Sequence, residues 1–269
     1  MKRRIAPFLA LQLHFLLFLL LLSGCAVRSV YVPTVGNEHL YNEKKQIQAK
    51  GYIGTNHAEV LVGGNPIKHL AVGANLSFGK GLSIYEGHLG YYGYSKDDAK
   101  WRYEFFGGAN STRNFLKQSS VWINVFKEEK SNYETTSLYN KYFSQLSFGY
   151  FGKMEIYKIN YSFSISCRAS YIDFKKYVYR EVNADSTLLM NSPVYVVNKA
   201  FYNKNLFLLE PCITNKVGIR NISAILQGQF MIPYSTEIDI RYTKFSPVFI
   251  FSVGLQYTFV LKKQHKPTS

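Results

Sequence analysis

Glu86, His88, Arg102, Glu104, Lys158 and Arg168 combine acid, base and cation within segments that alternate between apolar and polar residues. Glu59, Glu210, Gln227 and Gln229 occur in similar settings and extend the candidate set of inward polar groups. Glu86 and His88 are two residues apart, a spacing that puts both on one face of a strand. His88 is the one histidine of the six centred in such a segment. A base of this kind beside an inward serine or Glu86 is what a barrel lipid hydrolase or acyltransferase would need. The chain has no Gly-x-Ser-x-Gly, no His-Glu-x-x-His, no phosphate loop and no metal-ligand spacing. No catalytic residue, metal or cofactor is therefore assigned. The expectation is a hydrogen-bonded network filling a narrow interior, because buried charges must be paired.

One residue carries a sharper signal. Lys2, Arg3 and Arg4 precede an apolar stretch from Phe8 to Leu22, broken only by Gln12 and His14. That stretch is shorter than the roughly 20 residues a spanning helix needs and reads as an export signal. It ends in Leu22, Ser23, Gly24 and Cys25. Small residues before the cut admit a peptidase, and the thiol is the atom that becomes a diacylglycerol thioether. This run looks like the lipobox of bacterial lipoproteins, with Cys25 as the lipidation (palmitate-bearing) site. Ala26, rather than Asp, follows it, so nothing resembles an inner-membrane retention signal. Residues 1–24 are read as a cleaved signal peptide. Residues 25–45, aperiodic and containing Pro33 and Gly36, are read as a lipidated tether.

The remaining chain has the pattern of strands. The 269 residues include 16% aromatics and only 18% charged residues, which excludes a disordered chain. Three Cys exclude a disulfide-stapled mini-domain. Without Lys2, Arg3 and Arg4 the net charge falls from +15 to +12. The basic residues are dispersed, so nucleic acid is not an expected partner. Tyr161, Phe163, Ile165 and Cys167 alternate with Ser162, Ser164, Ser166 and Arg168, a period that fits a strand and mixes on a helix. Ten strands are predicted, near 46–54, 57–63, 69–78, 82–94, 101–110, 139–151, 154–172, 206–216, 220–231 and 246–260, with eight or twelve as alternatives. Connections after even strands are short. Those after odd strands include long loops at 111–136, 174–205 and 233–244. Short turns at one end and long loops at the other describe an all-β, antiparallel, up-and-down transmembrane barrel over 46–261, with a tail at 262–269.

The polar face carries Ser, Gly, Asn and Gln more than Lys and Glu, which suits a narrow lumen. The apolar face has Tyr and Phe near strand ends, as in interfacial girdles. Gly254, Tyr257 and Phe259 in the last strand match the spacing of a barrel-assembly signal. The competing architecture is a tethered soluble, lipocalin-like barrel, which would turn its apolar face inward around a lipid.

The chain resembles a family of bacterial outer-membrane β-barrel lipoproteins of unassigned activity. The resemblance rests on the lipobox, Tyr31-Val32-Pro33, Ala49-Lys50-Gly51-Tyr52, Ile67-Lys68-His69-Leu70 and Gly87-His88-Leu89-Gly90-Tyr91-Tyr92. It continues through Lys141-Tyr142-Phe143-Ser144-Gln145, Ser166-Cys167-Arg168-Ala169-Ser170-Tyr171, Leu209-Glu210-Pro211 and Ser246-Pro247-Val248-Phe249-Ile250. It implies a fold and a compartment and supplies no catalytic residues. The expected role is a lipid-anchored, non-enzymatic structural or interaction component of the cell envelope. The alternatives are a surface receptor or adhesin acting through loops 111–136 and 174–205, or the soluble lipid binder. The expected location is the outer membrane of a diderm bacterium, with both termini periplasmic. Expected partners are outer-membrane lipid, the lipoprotein-processing and barrel-assembly machineries, and an envelope protein or glycan ligand.

Overall fold

The structure is a computed structural model describing residues 34–36, 39, 41, 45–54, 57–79, 81–95, 100–124, 127–154, 159–183, 195–235 and 249–260. The side chains of 116–133, 154 and 181–199 are outside this description. Twelve strand segments form one antiparallel sheet: β1 Gln46–Gly54, β2 His57–Ile67, β3 Leu70–Gly79, β4 Leu82–Tyr94, β5 Trp101–Asn124, β6 Lys127–Met154, β7 Ile159–Asn183, β8 Tyr195–Phe201, β9 Lys204–Ile219, β10 Ile222–Phe230, β11 Ile232–Tyr234 and β12 Phe249–Val260. β8 and β9 both pair with β7, on either side of Tyr202 and Asn203, and make one wall strand. β10 and β11 both pair with β9, interrupted at Met231. The wall therefore has ten strands. It closes because β12 pairs with β10 on one side and β1 on the other.

Following partners round the wall from Phe174 passes through Tyr139, Thr112, Ile84, Ser77, Glu59, Tyr52, Gly254, Ile225 and Lys216. The path returns to Ser162, lower on the strand it left. That stagger is what tilts the strands of a barrel and closes it without an edge.

Period-2 alternation makes the two faces opposite in chemistry. Gln46, Gln48, Lys50 and Tyr52 of β1 point inward, and Ser162, Ser164, Ser166, Arg168 and Ser170 of β7 do the same. Outside stand Val60, Val62, Leu76, Leu89, Phe105, Leu146, Phe148, Ile165, Val253 and Leu255, all exposed. An aqueous exterior would leave this belt unburied, whereas hydrocarbon is its natural solvent. The barrel is thus apolar outside and polar inside, which overturns the lipocalin-like alternative. Trp101, Tyr103, Phe148, Tyr257 and Phe259 gather where β1 begins and β12 ends, and Phe78, Tyr85, Phe207 and Tyr234 ring the opposite end. Leu146 is 60% exposed on the outer wall. Leu146→Arg is expected to cost about 2–4 kcal/mol of folding free energy in a bilayer. Urea titration of the protein in lipid vesicles reads this; an unchanged midpoint would mean that this face meets water.

The two ends differ. Where the termini of the barrel lie, the turns are tight, with His69 and Arg220 at φ 68 and 56. Tight two-residue hairpins favour this positive φ. At the other end Gly81, at φ 74, makes the turn into β4, and a Cβ there would run into the Phe115 carbonyl. Phe115 N donates to Gly81 O at 2.7 Å, which ties that turn to the wall beside it.

Two of the expected loops are corrected. Residues 111–136 are mostly strand, since β5 and β6 stay paired as far as Asn124 and Lys127. Much of 174–205 is likewise strand, with β7 paired to β8 from Tyr177 to Asn183. The cause is physical. Alternation is written only where one face meets hydrocarbon; beyond that height polar and apolar residues fall at both parities, and backbone pairing continues without a side-chain signature. The span 233–244 begins as β11, and 236–248 lies outside the described residues. Beneath the β7–β8 hairpin an apolar cluster faces inward: Tyr139, Ile172, Phe174, Tyr177, Leu206, Leu208 and Met231, with Phe201 packed on it.

Candidate functional site: a lumen filled by charge pairs and by the chain itself

The inward faces of β4, β6, β7 and β9 bring four charges together. Arg168 Nη1 lies 3.7 Å and Lys141 Nζ 3.8 Å from Glu86 Oε2. Arg168 Nε is 3.9 Å and Lys141 Nζ 4.0 Å from Glu210 Oε2. All four side chains are buried. Two carboxylates and two cations thus share one water-poor space, and hydrogen bonds hold them in place. Arg168 Nε donates to Gln145 Oε1 at 3.0 Å, Asn110 donates to Glu86 at 3.1 Å and Gln229 donates to Glu210 at 3.3 Å. Phe143 lies under the guanidinium, 4.4 Å from ring centre to Cζ, which adds a cation–π contact.

The remaining partners come from outside the wall. Residues 34–36, 39 and 41 run inside the barrel. Thr34 Oγ1 donates to Glu86 Oε2 at 2.8 Å and accepts from Arg168 Nη1 at 2.7 Å and from Lys141 Nζ at 3.2 Å. Val35 N donates to Glu59 Oε1 and Oε2 at 3.0 and 3.1 Å, and Val35 O accepts from Arg168 Nη2 at 3.2 Å. Gly36 N donates to Gln227 Oε1 at 3.3 Å, and His39 N donates to Glu104 Oε2 at 3.1 Å. An extended segment inside a barrel has no sheet partners of its own. Here lumen side chains, two of them the carboxylates of Glu59 and Glu104 and one the amide of Gln227, take the place of the missing backbone acceptors. Glu59 also accepts from Asn75 and bonds His57, both at 2.6 Å.

His39 and His88 meet Nε2 to Nε2 at 2.9 Å, one donating and the other accepting. His39 stacks on Tyr41, and both imidazoles stand edge-on to Phe106. The rings fit because Gly63 and Gly73 lie behind them; a Cβ at either would strike His39 or His88 respectively. Gly63→Leu is therefore expected to expel His39 and loosen residues 34–41 while leaving the barrel closed. Limited proteolysis of the folded protein reads this as a new cut in that segment; an unaltered digest would contradict it.

Of the residues singled out from sequence, Glu86, His88, Arg102, Glu104 and Arg168 are buried inside, as are Glu59, Glu210, Gln227 and Gln229. Lys158 lies outside the described residues, as do Leu22, Ser23, Gly24 and Cys25. Gly254 is on the inward face of β12, against Tyr52, while Tyr257 and Phe259 are exposed outside with ring centres 4.4 Å apart. The structure assembles no hydrolytic pair from Glu86 and His88: the carboxylate faces Thr34, Asn110, Lys141 and Arg168, and the imidazole faces His39. Cys167 and Cys212 are not joined in a disulfide, and in the pairing Cys167 faces Pro211 rather than Cys212. Among the described residues no cluster of metal-ligating side chains occurs.

Sequence reasoning missed Lys141 and the whole inner segment. Lys141 was findable, since Tyr139, Lys141, Phe143, Gln145 and Ser147 share the inward parity of β6. Residues 34–36, 39 and 41 lie in a stretch with no period, and their burial depends on partners spread over the whole barrel.

At the end where β1 begins, the lumen keeps a cavity of about 200 Å³. Gln46, Gln48, Lys216, Ser223 and Gln256 line it, with His39 above.

No family model matches the chain, and no curated protein matches it by sequence. Among solved structures it is similar to the KdgM porin, with a TM-score of 0.32 and 9% identity over 80% of this chain and 99% of that one. It is also similar to the NanC porin, at 0.26 and 8% over 81% and 100%. A loop-deletion form of OmpT, an outer membrane protein of Vibrio cholerae, gives 0.19 and 9% over 80% and 97%. At this overlap the barrel is established by its own strand register, and these likenesses add no functional detail. The chain is a closed, ten-stranded antiparallel β-barrel with an apolar exterior and a charge-paired interior.

Proposed function

We propose that this is an outer-membrane β-barrel lipoprotein, anchored through Cys25, that serves as a non-enzymatic structural or interaction component of the envelope. One observation carries the reading: the lumen is occupied at mid-height by Arg168, Lys141, Glu86, Glu210 and the chain's own residues 34–36, a filling that suits a scaffold better than a channel. What remains available to a partner is the surface beyond the membrane. The β5–β6 and β7–β8 hairpins rise past the wall and are the expected contact elements, projecting outward from the cell, with the tight turns periplasmic. Arrival in the outer membrane fits the Gly254, Tyr257 and Phe259 pattern of the last strand.

The interaction reading is tested by replacing residues 117–134 with a short turn, which leaves β5 and β6 paired over the rest of their length. A photo-crosslinker at Val125 of the native chain should yield a discrete adduct with an envelope protein or glycan, and the shortened barrel should insert yet lose that partner. Retention of the partner by the shortened barrel would move the role away from this hairpin. Anchoring is tested separately. Labelled palmitate should enter the native protein and be lost in Cys25→Ser; equal labelling of both would refute the lipid site.

A further inference from the structure

The buried segment has a direction. Tyr41 packs on Ala71, the second residue of β3, and on Tyr92, close to the end of β4. Both positions lie at the end of the barrel where β1 starts. Lys45 is at that end too, its N–H donating to the Asn65 carbonyl at 3.2 Å. His39 comes next, against His88 and Glu104. Val35 is held by Glu59, two residues from the opposite end of β2. Thr34 reaches Lys141, whose pairing partner Ile172 belongs to the apolar cluster under the hairpins. Read from Lys45 back to Thr34, the chain climbs from the tight-turn end toward the hairpin end.

A return path beside it is crowded. The lumen of a ten-stranded barrel is little wider than one that side chains alone can fill. Here Arg168, Lys141, Phe143, Gln145, Cys212 and Gln227 already surround the segment, all buried. Glu59, Glu86 and Glu104 already accept from the segment, so a second extended strand at that level would have to compete with it for those carboxylates.

The geometry points to a barrel that threads its own N-terminal segment: the chain preceding Thr34 leaves the lumen at the hairpin end, so that the N-terminus and Cys25 lie on the opposite side of the membrane from the C-terminus. Residues 25–33 can span up to roughly 30 Å when extended, enough to clear the lumen and lay acyl chains into the leaflet on the hairpin side. This departs from the expectation that both termini are periplasmic. It makes the barrel a conduit for its own lipid anchor, with the Glu59, Glu86, Glu104, Arg168 and Gln227 cradle as the grip on the passing backbone. The leaflet rests on the proposed lipidation of Cys25; the side on which the N-terminus emerges does not.

The test uses intact cells of a diderm host and a bulky membrane-impermeant maleimide. In the full-length chain carrying Cys167→Ser and Cys212→Ser, one cysteine is added at a time: Ser29→Cys, Val125→Cys in the sequence between β5 and β6, or Ser269→Cys at the C-terminus. Threading predicts that Ser29→Cys labels in intact cells to the level of Val125→Cys, whereas Ser269→Cys labels only after the outer membrane is permeabilised. Labelling of Ser29→Cys only after permeabilisation, together with Ser269→Cys, would overturn it. The parent without an added cysteine separates the two readings. If Cys25 itself takes up maleimide, lipidation fails, and the same assay still reports on which side the N-terminus stands.

Discussion

Arg168→Met is expected to destabilise the folded barrel by about 3–5 kcal/mol, the range for breaking a buried ion pair from one side. The guanidinium donates to Thr34, Val35 O and Gln145 and faces both Glu86 and Glu210. Methionine fills much of the same volume against Phe143, so the loss falls on charge rather than on packing. Lys141 then faces the two carboxylates, at 3.8 and 4.0 Å, without the guanidinium beside it. The measurement is urea unfolding in detergent micelles, followed by the heat-modifiable gel band of the folded form. Adding Glu210→Gln to Arg168→Met should recover part of the loss, because the orphaned charge is what costs. Residues in one network do not add independently. A midpoint unchanged by Arg168→Met would mean that the cluster is solvated and the lumen open.

The second large effect is on conductance. In planar bilayers the native barrel is expected to be silent, since Thr34, Val35 and Gly36 cross the lumen at the level of Arg168. A chain that begins at Lys45 behind a cleavable export leader should show discrete openings. Removing the segment strips backbone or hydroxyl donors from Glu59, Glu86, Glu104 and Gln227. It also leaves polar walls that water can enter. Should that chain fail to fold, Gly63→Leu offers a milder release, and brief flickering openings are expected from it. Steady conductance by the native protein, unaltered by either change, would show that residues 34–41 do not seal the barrel.

The contrast between these two elements shows what a sequence can disclose. The ten wall strands were legible because each crosses an interface between hydrocarbon and a polar lumen, so Tyr161, Phe163 and Ile165 had to alternate with Ser162, Ser164 and Ser166. The inward charges were legible for the same reason: Glu86, Glu104 and Arg168 have a strand parity. The upper halves of β5, β6 and β7 were not, because Lys117 to Asn132 has polar residues at both parities and no contrast to read. Residues 34–41 were hidden for a different reason. Nothing in Thr34-Val35-Gly36 marks it as buried; its environment is assembled from Glu59, Glu86, Arg168 and Gln227, residues that only barrel closure brings together. The one local hint, His39 and Tyr41 in an otherwise plain stretch, needs Gly63, Ala71 and Gly73 to become a packing site.

The most direct test of the account is where the protein partitions once its lipid is gone. Cys25→Ser, sent to the envelope with an ordinary cleavable export leader, is fractionated and the membranes are washed with carbonate. A barrel with Leu89, Leu146, Ile165 and Leu255 facing outward should stay in the outer membrane and keep a heat-modifiable mobility on a gel. Release of a folded protein into the soluble periplasm would contradict it, because that exterior could not then be facing hydrocarbon.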